Sequence, residues 1–370
     1  MKKRHKRVWV FIFFFFFLIP QVFYQLCGGY IDSKNYEKRE LAERPKLSLS
    51  SVTKYPAEFE SYYNDALPFR TQIIVANSLM DYYCFQESSV SKVICGKKDW
   101  LFYNPRGNDG DPIGDLTGET FCTSEELDAM TKNLVKMNDY LESKGREFVI
   151  MINPNKETIY GEKYLPEISA ANYSYTKADQ VVSYLKEHSN LRVVYSKEAI
   201  QTAMSEFQEY DFYYSTDTHW NALGAYAATQ CLLGELGYKL PPLRDAEIKH
   251  ISPADGGDLA NMMSLSKFIM EKNSYSVEFE SDINVTDVSN KAFDEYRYVS
   301  DSPNTKKILI VRDSFGSAMA PYIGGLFKES YMPHRRDYLA AMIEEEQPDI
   351  VVYEVVERYV DVLSTFNAVP

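Results

Sequence analysis

The chain has little cysteine, and what it has is spaced for no metal site. Cys27, Cys84, Cys95, Cys122 and Cys231 are its five cysteines, and none of their intervals fits a zinc site. Outside a cell they would permit one or two disulfides, Cys84 and Cys95 being the nearest pair, while buried thiols suit a domain of this size equally well. Positive charge is scarce as well. The formal net charge is −13, and because the first 27 residues carry five Lys and Arg and no Asp or Glu, the remainder stands at −18. So acidic a domain repels nucleic acid and anionic lipid and turns toward neutral or small partners. No internal repeat is present. With 370 residues, 45% of them hydrophobic, the chain can bury a large core, which excludes a disordered protein.

Charge is missing altogether from Val8 to Leu26, VWVFIFFFFFLIPQVFYQL. At about 1.5 Å of rise per residue this run reaches roughly 28 Å, close to the hydrocarbon thickness of a bilayer. Lys2, Lys3, Arg4, Lys6 and Arg7 precede it and would remain in the cytoplasm, sending the rest of the chain outside. A cleaved signal peptide is the competing reading, but the run is long for one, CGGYID offers no Ala-x-Ala site, and YQLC is a poor lipoprotein box. The expected organisation is a basic tail and membrane anchor over 1–27, a linker over 28–55 and one extracytoplasmic domain over 56–370.

That domain is patterned for an α/β fold. Apolar residues recur at helical spacing around YYNDALPFR, and VICGKKDWLFY reads as short strands. Thr123-Ser-Glu-Glu126 is a capping box that opens a helix to Ser143, and the buried strand EFVIMIN, 147–153, comes after it. Further on come a helix over 175–188, the strand LRVVYS, a helix capped by Asn221 and ending near Leu236, the strand in KKILIVRDSFG, and the strand in PDIVVYE. Helices between short β-branched strands predict a mostly parallel sheet covered on both faces.

In such sheets reactive groups gather at the carboxyl ends of the strands. Ser314 falls there, just past the ILIV strand and at the start of the next helix, where backbone N–H groups can meet a developing oxyanion. A serine needs a base to take its proton, and the base needs an acceptor on its other nitrogen. In YYSTDTHWNALG, Asp217 and His219 are such a pair, because residues i and i+2 of an extended segment project to one side. A bland reading stands beside this one: the Ser as a helix cap and the Asp-x-His as a hydrogen-bonded turn.

DTHWNALGAY, ILIVRDSFG, YYNDALPFR, GKKDWLFY, NPNKETIYGEKYLP, GGDLANMM and PDIVVYEVVERY together resemble the alginate O-acetyltransferase family of SGNH-hydrolase-like proteins, with its DHHW-motif relatives in Gram-positive bacteria. The likeness covers about 55–360, in the family's order. It implies an SGNH-hydrolase-like α/β/α sandwich preceded by a transmembrane helix, with Asp217 as orienter, His219 as base and Ser314 as nucleophile. It also implies O-acetylation of an extracellular polysaccharide through an acetyl-enzyme, with no metal and no cofactor. The acetyl groups would come through a membrane-bound O-acyltransferase. An acetylesterase with the same triad, or a silent glycan-binding or scaffold member, would share these motifs. Arg312 departs from the family's Gly-Asp-Ser and would close the pocket or contact substrate; silence would follow if it blocked Ser314. Asn153 and Asn155 are candidate oxyanion donors or turn residues. Lys156 and Tyr160 would line the groove, or Lys156 would hold a carboxylate. Trp220 is a sugar platform or core, Tyr322 is equally open, and Glu354, Glu357 and Arg358 are expected to brace the last strand.

Overall fold

The computed structural model describes residues 2–27, 40–48, 51–107, 109–251, 253–290 and 294–370. The chain divides into two compact units, 1–90 with 260–266 and 91–259 with 267–370. In the first, a helix runs over Lys2–Cys27 and two more over Tyr55–Asp65 and Arg70–Met80, where the apolar residues recur at helical spacing around YYNDALPFR. The membrane span expected over Val8–Leu26 is not found: among the described residues no helix is long and apolar enough to cross a membrane. The side chains at 16, 17, 20, 21 and 25 within that run lie outside the described residues. Half of the expected linker, 28–39 with 49 and 50, is likewise outside them.

The second unit carries the strands, β1 Val93–Cys95, β2 Leu101–Tyr103, β3 Glu147–Asn153, β4 Val193–Tyr195, β5 Glu247–His250, β6 Tyr275–Glu278, β7 Val285–Asp287, β8 Glu295–Ser300, β9 Lys307–Val311, β10 Glu329–Pro333 and β11 Ile350–Val356. Seven of them form one sheet in the order β4-β3-β11-β9-β10-β8-β7. From β4 to β10 neighbours are parallel, but β8 and β7 join antiparallel, so the sheet is mixed. The edge strand β7 is exposed and its neighbour β8 mostly half-buried, and their sequences lack the continuous apolar run that marks a strand covered on both faces. The other strands pair as antiparallel hairpins, β1 with β2 and β5 with β6.

β11 lies in the middle of the parallel part, and all seven of its residues are buried. Because side chains alternate across a strand, each parallel strand feeds two cores. Val149, Met151, Ile308, Ile310 and Val352 enter one, with residues of the helices Lys156–Tyr164 and Ala222–Glu235. Phe148, Ile150, Leu309, Val311 and Val351 enter the other, with the helices Ser124–Ser143 and Lys177–His188. This is an α/β/α sandwich. Its helices start where the caps predict: Thr123 and Glu126 exchange the two bonds of a capping box, and Asn221 Oδ1 accepts from the Leu223 and Gly224 N–H groups.

Replacing Ile310, fully buried in β9, with alanine should cost about 2–5 kcal/mol of stability. Urea unfolding followed by circular dichroism measures it. A loss under about 1 kcal/mol would mean that this face of the strand is not packed as described.

Candidate active site

Two loops meet at the carboxyl end of the sheet. The first runs from Tyr213 to Trp220, which pair as an antiparallel bridge, and it is a closed turn where the sequence suggests an extended segment. Asp217 and His219 come together by a local hydrogen bond: Asp217 Oδ1 accepts from the His219 backbone N–H at 3.0 Å and from His219 Nδ1 at 2.6 Å. Such an Asx turn fixes the imidazole relative to the carboxylate whatever the strand direction.

The loop is held from behind at nearly every polar group. Lys156, fully buried, directs its ammonium at three carbonyl oxygens, those of Tyr214 at 3.2 Å, Ser215 at 3.3 Å and Asp217 at 2.5 Å. Three donors on three acceptors require the protonated amine, although burial pulls its pKa below the ordinary lysine value. Lys156 therefore neither lines a groove nor pairs with a carboxylate as expected; it secures the backbone of the loop. Glu271 accepts from the Ser215 and Thr216 N–H groups and from both hydroxyls. Asp258 accepts from the Thr218 N–H and hydroxyl, and its own N–H donates to Asp217 Oδ2 at 2.8 Å. Burial pushes the Asp217 carboxyl upward, but its bonds from His219 and from these backbone N–H groups outweigh that and hold it far below the usual carboxylate range. The close approach of 256–258 requires Gly257, where a Cβ would stand 2.4 Å from Asp217 Cβ.

The second loop leaves β9 as Arg312-Asp313-Ser314. No long helix comes after Ser314, in contrast to the expectation. A single 3-10 turn, Gly316–Met319, leads into the short helix Ala320–Ile323, so little helix dipole acts on the serine. The loop is braced by side chains instead. Asp313 accepts from the Phe315 and Val356 N–H groups, and Glu354, well above its ordinary pKa through burial and the nearby Asp313, accepts from the Asp313 N–H and the Asn153 amide. Gly316 must be glycine here, since a Cβ would lie 2.7 Å from Glu354 Oε2. Glu354 and Glu357 thus brace the loops after β9 and β3; Glu357 accepts from the Asn155 N–H and the Thr158 hydroxyl.

Across this gap Ser314 Oγ lies 2.8 Å from His219 Nε2, on an exposed edge. Trp220 ties the two loops together, donating from its indole nitrogen to the Phe315 carbonyl at 3.1 Å; it is buried and offers no open ring face for a sugar. A cavity of about 610 Å³ opens beside Ser314 and His219, with Tyr214, Tyr275, Ser276, Ser317 and Tyr322 in its wall. Burial pushes the Tyr322 hydroxyl up to about 12. Arg312 is absent from that wall. Its guanidinium is buried on Asp294 at 2.7 Å and stacks on Tyr296, so it neither blocks Ser314 nor reaches the cavity. Tyr160 is core, its hydroxyl accepting from the Phe212 N–H. Of the two asparagines at the end of β3, Asn153 spends its amide group on Glu354 and Ser196. The Asn155 side chain accepts from Arg358, and its amide nitrogen is buried with no partner among the described residues.

Asp217, His219 and Asp258 also form a group of possible metal ligands, with donor atoms within 4.8 Å of one another. Each already faces a hydrogen-bond partner, the chemistry of a proton-handling pair. Asp258, Gly257 and Glu271 are missed by the sequence reading, although GGDLANMM, which holds two of them, is among the segments that carry the resemblance.

Residues 93–317, more than half of the chain, match the family described as SGNH hydrolase-like domain, acetyltransferase AlgX. The chain belongs to this family. It is also 24% identical over 191 residues to the probable alginate O-acetylase AlgJ of Pseudomonas syringae pv. tomato, 51% of this chain and 44% of that relative, so it spans less than half of the relative's length. A DHHW family protein from Eubacterium siraeum superposes with a TM-score of 0.52 at 17% identity, over 74% of this chain and 95% of that one. Bacillus cereus PatB1 gives 0.52 at 16% identity, over 73% and 96%. At such identities these two likenesses speak for the fold.

Lys156→Met would leave three buried carbonyls without their donor. It should destabilise the protein by on the order of 3 kcal/mol and speed amide hydrogen exchange in 213–220 more than in β11. Equal protection of the loop in both proteins would contradict this account of what holds it.

Proposed function

We propose that this acetyltransferase-family protein carries acetyl groups to a polysaccharide outside the cytoplasm, through Ser314, His219 and Asp217. One observation carries the reading: a single imidazole lies 2.6 Å from a carboxylate and 2.8 Å from an exposed serine hydroxyl, beside a cavity large enough for a sugar. In this arrangement His219 Nδ1–H donates to Asp217 and Nε2 accepts from Ser314, which is the tautomer a general base needs.

In the first half-reaction Ser314 Oγ attacks the acetyl carbonyl as its proton passes to His219 Nε2. The imidazolium that forms faces the Asp217 carboxylate, and the leaving group departs with the proton. In this reading the oxyanion donors are the Ser314 N–H, on the nucleophile itself, and the Asn155 amide, which has no partner among the described residues. In the second half-reaction a sugar hydroxyl, deprotonated by His219, attacks the acetyl-serine. The polysaccharide acceptor and a donor route through a membrane-bound O-acyltransferase are in keeping with the family and with a relative named as an alginate O-acetylase. The basic cluster Lys2–Arg7 ahead of the uncharged run Val8–Leu26 supports an anchored domain facing outward.

Ser314→Ala should abolish turnover of p-nitrophenyl acetate, and His219→Ala should lose nearly as much, on the order of a thousandfold or more. Asp217→Asn should cost as much or less, and the losses should not add when combined, because the three groups fail together. Equal turnover by wild type and Ser314→Ala would remove the enzyme reading.

A reporter fused after Pro370 should be active only if it is one that works outside the cytoplasm. Activity of a reporter that works only in the cytoplasm would overturn the placement.

A further inference from the structure

The loops on either side of Ser314 carry two arginines whose charge no carboxylate answers. β9, which delivers Ser314, lies between β11 and β10. Arg358 and Tyr359 come after β11; Arg335 comes after β10, its N–H on the Arg312 carbonyl at 2.7 Å. Both guanidiniums lie against the ring of Tyr359, Arg335 at 4.8 Å and Arg358 at 5.1 Å from its centre. Whereas Arg146, Arg192, Arg297 and Arg312 each meet a carboxylate, Arg335 and Arg358 meet none among the described residues. Arg358, 8% exposed, donates to Asn155 Oδ1 at 3.1 Å and lies 5.3 Å from the ring of Phe315, the residue after the nucleophile. The Nε–H of both arginines is buried with no partner among the described residues. The neighbouring acids are taken by backbone: Glu157 by the Tyr103 N–H, Asp313 by those of Phe315 and Val356, Glu357 by that of Asn155. A guanidinium stays charged, and a charge without a partner is costly to bury. Ring faces offset part of that; an anion offsets more.

We infer that Arg335, Arg358 and Tyr359 form an anion subsite beside Ser314, and that the acceptor carries an anionic oxygen group, carboxylate or phosphate, on the sugar that is acetylated or on one next to it. This rests on the acetyl-transfer reading. The two sides of the serine then differ in what they hold. The cavity with Tyr214, Ser276 and Tyr322 takes a sugar's hydroxyls and ring, and the arginines take the charge. Their planar forks match the paired oxygens of a carboxylate or a phosphate. On a chain of net charge −13 the two arginines are a local exception, so an anionic acceptor is repelled elsewhere and held only where the serine can reach it.

The test compares acceptors that differ only in the charged group. Cellopentaose, its 6-carboxylate form and its 6-phosphate form are offered to the full-length protein with p-nitrophenyl acetate, and KM for each is read from the acetylated oligomer. At low salt at least one charged form should have a KM at least about tenfold below that of cellopentaose, with the gap narrowing as salt screens it. Whichever form is preferred identifies the anion. Arg335→Gln should lower that preference, taken as the ratio of charged to neutral acceptor within the variant, at least about tenfold, and Arg335→Lys should restore part of it. Arg336→Gln, whose guanidinium is tied to Asp294 and His334, should keep it. No preference for either charged form, or a preference that survives Arg335→Gln or falls equally in Arg336→Gln, would overturn the inference and leave the transferase reading standing. Absence of Ser314-dependent ester turnover would remove that reading instead. Calorimetric binding of the charged pentamers to full-length Ser314→Ala protein then decides the subsite alone: it should be lost when Arg335→Gln is added, and equal binding of all three pentamers would overturn the inference.

Discussion

The site depends on one constraint, the capture of the 213–220 loop by charges of opposite sign, the buried Lys156 and Glu271 and the half-buried Asp258. Its carbonyls converge on the Lys156 ammonium, and its N–H groups are taken by Glu271 and Asp258. A turn of this kind satisfies few of its own polar groups, and each one left bare in the interior would cost about as much as a lost hydrogen bond. The same bonds leave Asp217 with two anchored oxygens and His219 with one orientation. The lysine and the carboxylates are costly to bury singly; each is tolerated here because the loop supplies the missing partners.

The sheet does the corresponding work for the nucleophile. β11, buried along its whole length, sits between β3 and β9, and the acids at and beyond its end, Glu354 and Glu357, hold the loops that leave its two neighbours. Ser314 is thereby fixed on an exposed edge without a long helix behind it. Trp220 closes the construction by bonding the histidine loop to the serine loop, which accounts for a buried tryptophan beside a half-buried histidine.

Much of this frame is legible in the sequence, and the exceptions share a cause. EFVIMIN is a strand with the bounds its apolar run suggests, and Thr123 and Asn221 start helices because capping is a local interaction. Asp217, His219 and Ser314 are visible as residue types set at strand ends. The roles of Lys156, Glu271 and Asp258 are not, because a side chain that serves distant backbone groups leaves no periodic mark near itself. Arg312 comes directly after a buried strand and borders the serine, yet Asp294, eighteen positions earlier, decides where it points. The mixed edge of the sheet escapes for another reason: the exposed β7 and the half-buried β8 lack the apolar run that makes the central strands recognisable.

The central claim is that Ser314 carries the acyl group. The direct measurement is to quench the full-length protein during turnover of p-nitrophenyl acetate, digest it, and locate the acetyl group by mass spectrometry. If Ser314 is the nucleophile, one acetyl group accumulates on the peptide containing it in wild type and is absent from Ser314→Ala. Steady turnover with the acetyl group on another residue, or with the same labelling in Ser314→Ala, would contradict it.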